Sequence, residues 1–327
     1  MIITVTLNAA IDRTLAVPNF RLGRRHRATE QTAMAGGKGV NVARALKALG
    51  QPVIATGVAG GPTGTRIIEH LTEEAILADF LRIREESRTS TAVADPTSGE
   101  QTEINERGPE VSEAELELFV DKLLYLAKGA EVCVFAGSLP RGVDVSLYAR
   151  LVAELRSLGV TSVLDSEGEP LRLGTRAGPS VVTPNELEAE EIVGHEFSDE
   201  DDRRTAVREM VELGAHEAIM TRPDGCLGLV GDGNAGAAAR LVQASLDPLE
   251  PVSSVGSGDA FLAGYVAARY SGRPPDDCLR FAVACGAEST QHLGAGVIDV
   301  REVERLAEEV DLRTVEQTAI GAGGVQQ

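Results

Sequence analysis

A chain of 327 residues, 43% of them apolar, is long enough for one large α/β domain with an insert or two modest domains, and can bury a sizeable core. Aromatics make up only 3% and tryptophan is absent, which argues against base-stacking platforms for single-stranded nucleic acid. A formal net charge of −19 repels phosphate backbones and anionic lipid, so neither nucleic acid nor membrane is an expected partner, although a few local arginines suffice to hold a small anion.

The chain opens on an alternating strand, Ile2 to Leu7. Residues 12–33 are polar and arginine-rich, with no helical stripe. A helix is predicted over about 40–49, where Val42, Leu46 and Leu49 share a face and Gly50 ends it. A strand follows at 53–58, and threonine-rich runs around a Pro/Gly turn predict a hairpin over about 88–106. Ser112 and Glu115 then form a capping box ahead of the stripe Leu116, Phe119, Val120, Leu123 and Leu124. Next come strand VCVFAGS, a helix at about 145–158 closed by Gly159, strands TSVLD and SVVTPN, a helix near 199–213, strand EAIMT and a small sheet around CLGLVGDG. Further helices start at Asp259 and near Asp276. Strands alternating with helices predict an α/β three-layer sandwich, a mostly parallel sheet with helices on both faces. The segments at about 12–33 and 88–107 break that alternation and are expected to join as a small β lid on a single domain spanning 1–313, with 314–327 as a flexible tail.

Cys133, Cys226, Cys278 and Cys285 match the spacing of neither a zinc site nor a redox pair. Cys133 and Cys285 lie in apolar runs and read as buried thiols, so a reduced, cytoplasmic compartment is expected. The opening MIITVTLNAA lacks the basic region of a signal peptide, and no run of 18 apolar residues offers a membrane span.

Two segments carry chemistry. In SSVGSGDAFLAGY, Gly256 and Gly258 bracket Ser257, so the backbone can turn sharply and present bare N–H groups where a helix begins. Asp259 follows at once. A carboxylate beside an anion hole suits transfer of a phosphoryl group to a hydroxyl: the base takes the proton while the amides hold the spread charge. The plain alternative is an aspartate N-cap after a glycine turn. In AGGKGVNVARALKALG, Gly36, Gly37, Lys38 and Asn41 let backbone approach a small ligand, or merely start a helix. The spacing is not that of a P-loop, and no acidic residue follows where a dinucleotide site needs one.

In this order and about 220 residues apart, GGKGVNVARALKALG and VGSGDAFLAGY resemble the ribokinase-like carbohydrate kinases. The most similar branch holds 1-phosphofructokinase, tagatose-6-phosphate kinase and the minor 6-phosphofructokinase. TLNAAID, TEINERGPEVS, FAGSLPRG, LDSEGEPL, TPNELE and CGAESTQHLGAG support the match, which covers about residues 1–310. The resemblance implies ATP and Mg²⁺, and leaves a monovalent cation open. It makes Asp259 the catalytic base and Gly256, Ser257 and Gly258 the anion hole. Asp12, Gly36, Gly37, Lys38 and Asn41 become substrate contacts. Arg25, Arg27 and Arg88, with Ser138 nearby, would meet the phosphate already on the substrate. Asn185 and Glu188 would orient waters on the metal, while Asp165, Thr221, Gly225, Ala287 and His292 would hold the nucleotide. A lid with free strand edges suggests a homodimer.

Most of these residues also have a simpler reading. Asp12 and Asp165 could cap strand ends, Arg25 and Arg27 could form a solvated basic loop, and Ser138 could be a turn residue before Pro140. Glu188 stands among Glu186, Glu190 and Glu191 and could be a helix-surface acid, and His195 reads as surface. Two departures from the branch pattern stand out: LNAAID lacks a proline usual there, and His292 replaces an asparagine that some relatives carry near a cation site. The expected reaction is phosphorylation of a ketohexose phosphate, first fructose 1-phosphate, with fructose 6-phosphate and tagatose 6-phosphate as alternatives. A kinase of an uncharged sugar or nucleoside, or a silent binding protein with the same fold, are the rival functions.

Overall fold

Alternating side chains along the central strands set the layers of the molecule. A computed structural model describes residues 1–231 and 239–318. The first half of the chain forms β1 (Ile2–Thr6), β2 (Ala10–Ala16), β3 (Glu30–Gly36), α1 (Lys38–Ala48), β4 (Val53–Gly60), α2 (Gly61–Glu73), β5 (Leu77–Ile83), β6 (Arg88–Ala94), β7 (Gln101–Asn105) and α3 (Glu113–Ala127). The middle adds β8 (Val132–Ala136), α4 (Leu147–Ser157), β9 (Thr161–Asp165), α5 (Gly168–Arg176), β10 (Val181–Val182), α6 (Glu186–Val193) and α7 (Glu200–Leu213). The last part holds β11 (Glu217–Arg222), β12 (Gly225–Val230), β13 (Ala239–Ser245), α8 (Ser257–Tyr270), α9 (Pro275–Ser289), α10 (Val300–Glu309) and β14 (Asp311–Thr318).

Ten strands make one sheet in the order β14-β13-β12-β11-β10-β9-β8-β1-β4-β5. From β11 to β5 every pairing is parallel, whereas β12, β13 and β14 add antiparallel strands at one edge. In β8, Val132, Val134 and Ala136 join the core under α1, α2, α8, α9 and α10. Cys133 and Phe135 point the other way, into the core under α3 to α7. A strand buried on both faces reads as a continuous apolar run, as VCVFA does. This is the ribokinase-like three-layer sandwich. All four cysteines are buried and free, and among the described residues no helix is long and apolar enough to cross a membrane.

The two segments that break the alternation share a second sheet, ordered β3-β2-β6-β7. β2 pairs with β3 antiparallel and with β6 parallel, from Ala10↔Arg88 to Ala16↔Ala94. The capping box of α3 forms as the sequence predicts, with Ser112 and Glu115 each serving the other's backbone. Several expectations need correction. Helix α8 starts at Ser257, not at Asp259, because Gly256 takes the left-handed turn (φ 80°) that starts it. Residues 314–318 are no tail but continue β14, which pairs with β13; the rest of the expected tail, 319–327, lies outside the described residues, as do Asp232 and Gly233 of the CLGLVGDG segment. Helices α2, α5 and α10 and strands β5, β13 and β14 were not predicted.

Candidate active site

The strand order reverses at β1. The chain runs outward through β4 and β5 on one side, then returns to β8 on the other. At such a switch point a crevice opens beyond the carboxyl ends of the strands. Asn8 follows β1, Ser138 follows β8, and Asp165 ends β9; the Asn8 side-chain amide donates to Ser138 Oγ at 3.2 Å.

The hairpin of β2 and β3 brings Asp12 to this crevice. Its carboxylate fills the space where a side chain on Gly36 would begin, since a Cβ there would lie 1.9 Å from Asp12 Oδ2. Gly37 (φ 100°) then turns the chain into α1 and offers its N–H to Asp12. Burial pushes the Asp12 carboxyl above its ordinary range, against the opposing charges of Arg88 and Arg44 and that N–H bond.

Asp259 is the third residue of α8 and is buried. It is not the N-cap, since Gly256 holds that position. Its Oδ2 instead accepts from Asn41 Nδ2 at 2.8 Å, across 218 residues of sequence. Burial pushes the carboxyl up to about 7; Asp165 adds to the rise, Lys38 and the Asn41 bond oppose it, and Asp12 adds a little more. The first amides of a helix have no intrahelical acceptor, and a Cβ on Gly258 would meet no heavy atom within 4 Å. The Ser257 N–H donates to Ser254 O at 3.3 Å, and the next amides, of Gly258 and Asp259, form the open pole of α8 beside a carboxyl poised near neutrality.

Lys38 opens α1 and stands between two more acids. Its Nζ lies 2.9 Å from Asp165 Oδ1 and 3.4 Å from Glu188 Oε1. Burial pulls the ammonium down, but Asp165, Glu188 and Asp259 outweigh that and hold it above its ordinary range. Asn185 N-caps α6, its Oδ1 accepting from the Glu188 N–H at 3.0 Å, while Glu188 Oε2 accepts from the Asn185 N–H at 2.8 Å. The surface-acid reading of Glu188 therefore fails: one oxygen closes a capping box and the other faces Lys38. Burial raises its carboxyl, with Lys38 opposing and Asp165 adding. Two carboxylates converging on one cation are the donor chemistry that also suits a hydrated Mg²⁺.

Arg88 starts β6 beside Asp12. Its Nε donates to Asn8 O at 3.1 Å and its Nη1 to Glu106 O at 3.3 Å. Burial lowers its guanidinium despite Asp12, Glu167 and Glu106. With Arg107 and Arg141 it lines a cavity of about 240 Å³.

The proposed nucleotide residues are more spread. Thr221, next to last in β11, lies against Asn185, its N–H donating to Pro184 O at 2.9 Å. Gly225 (φ 147°) opens β12, where a Cβ would lie 2.0 Å from Ala244 O. Ala287 sits in the last turn of α9 and its carbonyl accepts from Thr290. His292 pairs with the buried Glu288 at 2.6 Å, and Glu288 also accepts from the Asp299 N–H. Among the described residues, no hydrogen bond or ion pair joins Thr221, Gly225, Ala287 and His292 to one another.

Arg25 and Arg27 are not brought to the crevice. They occupy the exposed loop beyond Ala16↔Glu30, at the opposite end of the hairpin from Ala10↔Gly36. Six residues of strand separate those ends by about 20 Å. Within one chain they stand on a solvated loop. His195 is exposed and pairs with Glu209, as a surface histidine should. Two site residues were missed. Asn8 lies in TLNAAID but was not singled out. Arg44 stands three residues after Asn41, and that spacing on a helix facing the core was the available signal.

A glycine-flanked helix terminus beside a buried carboxyl, on a ribokinase-like sandwich, is the arrangement that phosphoryl transfer to a hydroxyl needs. The chain belongs to the pfkB family of carbohydrate kinases, whose family description matches residues 3–301, and it is a sugar kinase. It is 31% identical over 307 residues to a 1-phosphofructokinase of Borreliella burgdorferi, covering 94% of this chain and 96% of that one. It is 30% identical over 318 residues to a tagatose-6-phosphate kinase of Staphylococcus epidermidis, covering 95% and 99%. Phosphofructokinase-2 from Escherichia coli, solved in complex with substrates and products, superposes with a TM-score of 0.85 at 28% identity over 94% of this chain and 98% of that one.

Proposed function

We propose that the chain phosphorylates a ketohexose phosphate with ATP, first of all fructose 1-phosphate to fructose 1,6-bisphosphate. The observation that carries this reading is Asp259, buried, near neutrality and set beside the open N-terminus of α8. In this reading Asp259 takes the proton of the acceptor hydroxyl as that oxygen bonds to the γ-phosphorus. The bond from that phosphorus to its bridging oxygen breaks, and ADP leaves. Amides at Gly256, Ser257 and Gly258 hold the charge on the moving group. Asp12, the glycine pair and Asn41 orient the sugar, and Lys38 moves its charge toward the phosphates. Glu188 and Asn185 would hold Mg²⁺ through water; when bound, the ion neutralises phosphate charge. Thr221, Gly225, Ala287 and His292 would flank the nucleotide, and a monovalent cation near His292 belongs to the same reading. The setting is cytoplasmic, and two copies would pair through the free edges at β3 and β7, a dimer that light scattering would reveal.

Arg88 favours a phosphorylated over a neutral acceptor, because it is a cation beside Asp12 that also lines the cavity with Arg107 and Arg141. Steady-state rates with a panel of phosphorylated and free hexoses, ATP and Mg²⁺ test the reading; turnover confined to free sugars or nucleosides would sink it. Arg88→Ala should raise KM for the sugar phosphate about 10–100-fold, the equivalent of one charge-assisted contact, and leave KM for ATP nearly unchanged. Equal effects on both would remove Arg88 from the phosphate.

Glu188→Gln keeps a side chain that can still accept from the Asn185 N–H, so α6 should stay capped. The Mg²⁺ concentration for half-maximal rate should rise severalfold or more. An unchanged Mg²⁺ titration would confine Glu188 to capping α6 and pairing with Lys38.

A further inference from the structure

We propose that Arg44 is a positioning residue that fixes the Asn41 amide in the one orientation that donates to Asp259. A carboxamide has nearly the same shape either way round, so packing alone does not decide which end faces the acid. Arginine has donors only. Arg44 Nη1 stands 3.2 Å from Asn41 Oδ1, so the carbonyl end faces Arg44 and the N–H end faces Asp259. Arg44 is itself held from several sides. Nη1 donates to Ala295 O at 2.9 Å, Nη2 to Ala35 O at 2.6 Å, and Nη2 to Glu74 Oε1 at 2.9 Å. Its side chain is 9% exposed. Ala35 precedes the glycine that seats Asp12, and Ala295 packs on Gly256, so the same guanidinium braces both chemical segments.

The consequence falls on the proton. Asp259 is faced by Asp165 from β9, Lys38 and Asn41 from α1, and Asp12 from β2. Of these, the Asn41 N–H and Lys38 favour the ionised form that accepts a proton. A flipped Asn41 would turn its carbonyl oxygen on the carboxylate, stabilising the protonated acid instead. With one N–H given to Asp259 and one Oδ1 lone pair to Arg44, Asn41 can meet the sugar with its second N–H or the remaining lone pair.

This proposal rests on Asp259 being the base. The test is the pH profile of kcat/KM, which reports groups of the free enzyme, for wild type, Arg44→Met and Arg44→Lys. In Arg44→Met the acid limb should move up by about one pH unit, a loss near tenfold at about pH 6, with rates converging on the alkaline plateau. Ionisation of the substrate is common to both enzymes and cancels in the ratio. A brace without influence on Asn41 would lower the rate evenly at every pH, and an unmoved limb overturns the proposal. Should Arg44→Met fail to fold, Arg44→Lys carries the test: one ammonium cannot reach Asn41, Ala35 and Ala295 together, so the limb should move the same way by about half a unit. An unmoved limb there overturns it equally. Wild-type turnover in Asp259→Asn would topple the base assignment itself, whereas an inactive Asp259→Asn with unmoved limbs at Arg44 removes this proposal alone.

Discussion

Asp259→Asn should lower kcat by about 10²–10⁴, the usual share of a positioned general base, while sugar and nucleotide still bind. Asparagine fills the same space and its carbonyl can still accept from Asn41, so the glycine turn and the bare amides persist. It cannot take the hydroxyl proton. The capping alternative makes the opposite forecast, since Asp and Asn cap almost equally well, and the cap here is Gly256 in any case. A second readout follows from the same burial. The folded carboxyl sits at about 7 against an ordinary 3.8, so between those values the folded state binds the proton more tightly than the unfolded chain. Stability from this group is therefore full below about pH 4 and falls as pH rises through 7. The asparagine variant carries no such loss. It should melt above wild type at pH 8, by the equivalent of roughly 2–4 kcal/mol, with the gap narrowing toward acid pH. Thermal melts at both ends of that range, with calorimetry for binding, check both halves.

The glycines of the same turn should separate into two kinds. Gly256→Ala is expected to destabilise the fold by about 3 kcal/mol and to abolish most activity. Its φ of 80° costs an L-residue about 1–2 kcal/mol, and its new Cβ would stand 2.4 Å from the Cβ of Ala295 and 2.7 Å from its Cα, adding about 1–3 kcal/mol of overpacking. Gly258→Ala meets nothing, so its melting point should stay near wild type. Its methyl would enter the space beside the bare amides. If a phosphoryl group passes there, kcat should drop at least tenfold in a protein of normal stability. Full activity in Gly258→Ala would move the anion away from that face of the turn.

How much of this was readable in advance depends on the range of the interaction. The glycine turns at 36–37 and 256–258 were legible because a backbone with positive φ and an open amide face are local requirements. The three-layer sandwich was legible because strands such as VCVFA alternate with helical stripes along the chain. Helix α2 was missed because it opens Gly61-Pro62 and buries only Gly64, Ile67 and Leu71, too sparse a stripe to stand out. The convergence of Lys38 on Asp165 and Glu188 joins residues 127 and 150 apart, which no periodicity reports. The position of Arg25 and Arg27 was hidden for the same reason: the resemblance suggested an anion, but the length of the hairpin sets their loop away from the crevice of their own chain. Arg44 went unnoticed because an arginine in a helix usually faces solvent, and only the Ala35, Ala295 and Glu74 contacts show that this one does not.

The most direct test of the central claim is product identification. The purified protein is mixed with fructose 1-phosphate, ATP and Mg²⁺ and followed by phosphorus NMR. The account expects one fructose 1,6-bisphosphate and one ADP per ATP consumed, with fructose itself left unphosphorylated and no product from Asp259→Asn on the same timescale. No bisphosphate from fructose 1-phosphate, fructose 6-phosphate or tagatose 6-phosphate, or equal turnover of free fructose, would contradict it.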